Sequence, residues 1–188
     1  MKEDLESSGG EKYSREEKVF LHKLARGAID HRLIGKPLPS LEEGTPRLGE
    51  KRGAFVTLKR QGQLRGCIGY TQAVKPLNRT IMEMAQAAAF QDPRFPPLTQ
   101  KELADLEIEI SVLTPFRQIR DVAEIAVGKH GLFLERGGRS GLLLPQVATE
   151  YHWDRETFLE HTCLKAGLPR DAWKDKETRI FVFSAEIF

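Results

Sequence analysis

Gly53-Ala54-Phe55-Val56-Thr57-Leu58-Lys59-Arg60, then Gln61-Gly62-Gln63, then Leu64-Arg65-Gly66-Cys67-Ile68-Gly69-Tyr70: two β-prone runs on either side of a glycine turn predict a hairpin whose second strand carries a cysteine. In an extended chain residues two apart share a face, which sets Arg65 on the side of Cys67. Gly66 and Gly69 remove side chains next to the sulfur, so backbone or a ligand can approach closely. A nearby guanidinium favours thiolate over thiol. Cys67 is therefore a candidate nucleophile, and Arg65, Gly66 and Gly69 are candidate substrate-binding residues. The competing reading is that a free strand cysteine packs as a small hydrophobe.

Helical signals flank this hairpin. Ser14 and Glu17 have capping-box spacing, and Val19, Phe20, Leu21, Leu24, Ala25, Ala28, Ile29 and Leu33 follow with helical period up to Gly35. Residues 36–51 hold three prolines and two glycines and read as a connector. Pro76 opens a helix over Leu77 to Phe90, which Asp92-Pro93-Arg94-Phe95-Pro96-Pro97 must break. Thr99 and Glu102 form a second capping box at the start of a short helix.

Glu107 to Thr114 alternates, with Ile108, Ile110 and Val112 on one face and Glu107, Glu109 and Ser111 on the other; this is a half-buried strand with a polar face. A short apolar piece around Val122 to Ala126 leads to Gly128-Lys129-His130-Gly131. A second hairpin turns at Arg136-Gly137-Gly138-Arg139. Asp154 to Lys165 is a helix with Phe158, Leu159 and Thr162 inward, and Arg179 to Phe188 is a final strand. Hairpin-paired strands with helices between them predict an α+β fold, not a doubly wound parallel sheet.

The 188 residues suit one domain, expected over 13–188 behind a flexible tail at 1–12 that carries Ser7-Ser8-Gly9-Gly10. A net charge of +2, with acids and bases interleaved, argues against a nucleic-acid partner. Two widely spaced cysteines make no disulfide framework, and neither a signal peptide nor a membrane-length apolar run is read. A cytoplasmic protein is expected. No phosphate loop or dinucleotide fingerprint appears, so no cofactor is assigned. Cys67, Cys163, His130 and His161 lack metal-ligand spacing, so no metal is expected.

Further candidates carry chemistry by type. His130, in a glycine-bracketed turn, is the candidate base for Cys67, against a local backbone-bonding role. Glu109 and Ser111, with Glu107 nearby, supply a candidate base and acceptors if their strand face meets a binding surface; a face open to water is the alternative. Asp92 and Arg94, in a proline-locked loop, are read either as an anchor for an anionic ligand group or as an internal ion pair that pins the loop.

Taken together, Leu64-Arg65-Gly66-Cys67-Ile68-Gly69, the Ala89 to Leu98 segment, Gly128-Lys129-His130-Gly131, Leu144-Pro145-Gln146-Val147 and the helix from Trp153-Asp154 to Lys165-Ala166-Gly167-Leu168-Pro169 resemble the AMME chromosomal-region protein family. Its bacterial and archaeal members are called AmmeMemoRadiSam system protein A. The six-residue motif is that family's hallmark, and the resemblance runs from about Tyr13 onward. It implies a two-lobed α+β domain: a larger lobe of antiparallel sheet and helices built from both chain ends, and a smaller α+β lobe inserted between. It also implies a working cleft between lobes beside the hallmark motif, and Memo-type and radical S-adenosylmethionine partners. The family's activity is unsettled. Two functions follow as expectations: a small molecule or modified residue bound in the cleft with Cys67 as nucleophile, or a non-catalytic adaptor for a protein or peptide with Cys67 structural.

Overall fold

The computed structural model describes residues 12–188. The tail expected over 1–12 therefore lies outside the described residues save for Lys12, whose carbonyl accepts from Arg47 at 3.0 Å. The chain divides into two units. One runs to Leu113 and regains Glu186–Phe188; the other is Thr114–Ala185.

In the first unit, Ser14 caps helix α1 (Arg15–Ile34) through a complete capping box with Glu17, and Gly35 ends it in the left-handed region. Strands β1 (Ala54–Arg60) and β2 (Gln63–Tyr70) form the expected hairpin. Gln61 and Gly62, with φ of 52° and 74°, make its turn. Helix α2 (Leu77–Phe90) follows, and then a capped 3₁₀ turn at Gln100–Asp105 leads into strand β3 (Leu106–Leu113). The sheet order is β2-β1-β3-β8, where β8 is Ala185–Ile187.

Alternation decides which face is buried. Ala54, Val56, Leu58, Ile110 and Val112 pack on Leu21, Leu24 and Ile29 of α1 and on Leu77, Ile81, Met84 and Ala85 of α2. Each fully buried leucine or isoleucine there contributes roughly 1.5–3 kcal/mol. The opposite face carries Phe55, Thr57, Lys59 and Glu109, all half-buried.

In the second unit, β4 (Arg117–Ile119), β5 (Gly131–Arg136), β6 (Arg139–Leu143) and β7 (Arg179–Phe183) form an antiparallel sheet of order β4-β7-β5-β6. Helices α3 (Pro145–Glu150) and α4 (Arg155–Lys165) belong to this unit, with Phe158, Leu159 and Cys163 of α4 in its core. The expected final strand is two strands: Ser184 separates β7 from β8, and each joins a different sheet. Among the described residues no helix is long and apolar enough to cross a membrane. The fold is α+β with antiparallel sheets.

Candidate functional site

A β-bulge decides where the Cys67 sulfur goes. From the turn, Arg60 pairs with Gln63 and Lys59 with Leu64, but Leu58 pairs with Gly66, which leaves Arg65 as an extra residue. Continued without that slip, the register would set Cys67 opposite Val56, on the buried face. With it, Cys67 stands opposite Thr57, on the half-exposed face. The Thr57 hydroxyl donates to Cys67 Sγ at 3.2 Å. Thr57 also pairs with Glu109 on β3, so one row across three strands reads Cys67, Thr57, Glu109. Glu109 accepts from Lys59 Nζ at 2.9 Å and keeps 35 % of its side chain exposed.

Arg65 does not serve the sulfur. Its Nε and Nη2 donate to Glu102 at 2.8 and 3.3 Å, Nη2 also reaches the Pro96 carbonyl at 2.9 Å, and its side chain is only 12 % exposed. The expected polarising cation is instead half of an ion pair that ties β2 to the turn after Thr99. Glu102 also accepts from Arg60 at 3.1 Å and from the Thr99 amide and hydroxyl at 2.8 Å. Led by the Arg65 hydrogen bonds, these donors pull its carboxyl down to about 2.

The two glycines are also reassigned. A Cβ on Gly66 would lie 2.2 Å from the Ala88 carbonyl oxygen, so what approaches there is the backbone of α2, not a ligand. A Cβ on Gly69 would meet the Phe55 ring at 2.4 Å; the aromatic from the paired strand fills that space.

Asp92 and Arg94 adopt the loop-pinning arrangement. Cys67 N–H donates to Asp92 Oδ2 at 2.9 Å, and Arg94 Nη2 donates to the Cys67 carbonyl at 3.3 Å. These are the outward backbone groups of a strand that ends its sheet. Asp92, its side chain 2 % exposed, also accepts from the Arg94 amide at 3.1 Å, Nε at 2.9 Å and Nη2 at 2.7 Å. Those Arg94 bonds, followed by the backbone amides, hold its carboxyl far below the usual range despite burial. The Arg94 guanidinium leans on the Phe95 ring at 5.5 Å from the centroid.

Ser111 is buried, not open to solvent as its strand pattern implied; Phe55 pairs with both Ser111 and Gly69. His130 belongs to the other unit, where its Nδ1 accepts from the Ala126 amide at 3.2 Å and its own amide donates to the Ala126 carbonyl at 2.9 Å. Partial burial, with the Lys129 and Arg117 charges behind it, lowers its pKa. The structure thus brings together Cys67, Asp92 and Arg94, sets Glu109 two strands away in the same row, and shows His130 in a local turn. Sequence reasoning missed Thr57, because pairing it with Cys67 requires the bulge. It also missed Glu102 as an ion-pair partner 37 residues from Arg65.

Among the described residues no three His, Cys, Asp or Glu side chains converge as metal ligands. The arrangement therefore offers a thiol, a hydroxyl that donates to it, a carboxylate one strand further and a fixed guanidinium at the strand edge.

A model of the AMMECR1 family matches residues 22–188. The chain is 50 % identical over 182 residues to a protein of Methanothermobacter thermautotrophicus, spanning 93 % of this chain and 95 % of that one. It is 47 % identical over 188 residues to Protein MK0488 of Methanopyrus kandleri, spanning 95 % and 91 %. The crystal structure of the uncharacterized protein PH0010 from Pyrococcus horikoshii superposes with a TM-score of 0.84 at 44 % identity, covering 93 % of this chain and 91 % of that one.

Proposed function

The chain belongs to the AMMECR1 family, and on that premise we propose that the sheet face around Cys67 carries thiol chemistry on a small molecule or a modified residue. Cys67 is the nucleophile or transient covalent carrier. The observation that carries this reading is a division of labour within Leu64–Gly69. Arg65 locks a loop, Gly66 admits α2, Gly69 admits Phe55 and the Cys67 backbone is clamped by Asp92 and Arg94. Cys67 itself is left half-buried, and its sulfur takes a donated hydrogen bond. A packing cysteine needs no hydroxyl aimed at its sulfur.

In a displacement, the S–H proton leaves to solvent, sulfur bonds to an electrophilic carbon and the leaving group departs with the electron pair. Thr57 O–H stabilises the charge on sulfur before attack. Glu109 stands two strands away, about 10 Å at ~4.8 Å per strand. It therefore takes a proton from a group lying across Thr57, not from sulfur directly. Memo-type and radical S-adenosylmethionine proteins, implied by the family resemblance, are the proposed partners in the sequence of reactions.

The test is alkylation of Cys67 by iodoacetamide in the Cys163→Ser protein, followed against pH. That substitution leaves Cys67 as the one cysteine of the chain. Rapid labelling of the folded protein is expected. Labelling only after unfolding would refute the reading and favour a second one, a protein- or peptide-binding adaptor. That second reading draws on the commitment of Arg65 to Glu102, which makes part of the motif scaffold.

A further inference from the structure

We propose that Arg94 is an anion-recognition residue for this face, so that the molecule reaching Cys67 carries an oxyanion, a carboxylate or a phosphoryl group. The inference rests on the thiol reading for its readout at sulfur, and it names the substrate class of that same site.

Ordinary surface arginines are mobile, and ordering one on a ligand costs side-chain entropy. Arg94 has already lost that freedom. Nε and Nη2 are held by Asp92 at 2.9 and 2.7 Å, Nη2 is shared with the Cys67 carbonyl at 3.3 Å, and the guanidinium rests on Phe95. Its side chain nevertheless remains 54 % exposed.

The Asp92–Arg94 pair is neutral as a whole but not in its field. The carboxylate is sealed inside and the guanidinium looks out, so solvent meets the positive end. Among the described residues Nη1 donates to no acceptor, and an oxygen bound there would lie beside the residue that carries the sulfur. The carboxylates nearest in the network are already answered, Glu109 by Lys59 and Glu102 by Arg65 and Arg60. Burial of Asp92 explains why a partner cation is needed there; it does not explain why that cation is left half in water.

Two reagents with the same chemistry and different charge test this. Iodoacetate and iodoacetamide both form the S–C bond, break C–I, release iodide and give the thiol proton to buffer. Their rate ratio is measured at Cys67 in the Cys163→Ser protein and on N-acetylcysteine under the same conditions. The ratio of iodoacetate to iodoacetamide is expected to be about tenfold higher on the protein at low salt, near 1.4 kcal/mol of preference. It should fall towards the N-acetylcysteine value as NaCl approaches about 1 M. Added acetate or inorganic phosphate should slow iodoacetate selectively, and the stronger competitor identifies a carboxylate or a phosphoryl group.

Arg94→Gln should abolish the excess. Because that change strands a buried carboxylate, Asp92→Asn/Arg94→Gln is the companion variant. An unchanged ratio at low salt overturns the inference while leaving reactive sulfur in place. Inert sulfur with both reagents refutes the thiol reading instead, and the anion site is then read by melting. Acetate or phosphate raising Tm above chloride at equal ionic strength, in wild type and not in the double variant, supports it; equal Tm values overturn it.

Discussion

Gly66→Ala separates packing from ligand approach in the Leu64–Gly69 stretch. A Cβ built there would lie 2.2 Å from the Ala88 oxygen and 3.1 Å from its carbonyl carbon. A carbon meets a carbonyl oxygen comfortably at about 3.3 Å or more, so β2 and α2 would have to part by roughly 1 Å. Neither side can yield cheaply: the obstruction is backbone in the last turn of α2, and Ala85, Ala88 and Ala89 of that helix are buried in the same core. Overpacking of this kind costs about 1–3 kcal/mol and sometimes more, and with no side chain to rotate away the upper figure applies. At about 2–4 °C per kcal/mol for a chain of this size, Tm should fall by roughly 6–12 °C. Gly62→Ala is the control, since nothing lies within 4 Å of that position and only its φ of 74° opposes a side chain, a cost of about 1–2 kcal/mol. Urea unfolding followed by far-UV circular dichroism, to which α1 and α2 contribute most, reads both. A Gly66→Ala protein that loses less than about 1 kcal/mol, or less than Gly62→Ala, would refute the packing assignment.

Acid should weaken the protein through Glu102. Its carboxyl is depressed from 4.5 to about 2 in the folded chain, so the stability it contributes is complete above about pH 4.5 and lost as pH falls towards about 2. That loss amounts to roughly 3 kcal/mol, and the difference in urea midpoint between wild type and Glu102→Gln should shrink across the same window. A constant difference would contradict the Arg65 assignment. Asp92→Ala removes the acceptor of four donors, Cys67 N–H and three from Arg94, and should cost about 3 kcal/mol in chemical denaturation; a loss under about 1 kcal/mol would show that the clamp is dispensable. Thr57→Val keeps shape and deletes the donor to sulfur, so alkylation of Cys67 at neutral pH should slow several-fold, while Thr57→Ser retains the wild-type rate. Equal rates for all three proteins would remove Thr57 from the site.

Much of the fold is legible because its signals are local. The Ser14–Glu17 capping box, the Gln61-Gly62 turn and the alternation through Ile108, Ile110 and Val112 each act within a few residues. The final strand misled for a physical reason: apolar residues on both sides of Ser184 satisfy two sheets as readily as one. The site was less legible. Arg65 shares a strand with Cys67, yet its guanidinium is drawn to Glu102, and no spacing rule names a partner 37 residues on. The open face for Cys67 depends on one extra residue in β2, which simple alternation from the turn does not reveal. Asp92 and Arg94 were recognisable as a fixed pair, but their hold on the Cys67 backbone was not.

That hold has a consequence for self-association. Bare strand margins invite a second chain to zip alongside, the first step in swapping or fibril growth. At Cys67 the hydrogen-bonding positions a newcomer would need are already taken by side chains from the proline loop. An incoming strand would have to evict a carboxylate held by four donors before gaining one rung. The same loop that frames the sulfur therefore also keeps this border from becoming a seam between molecules.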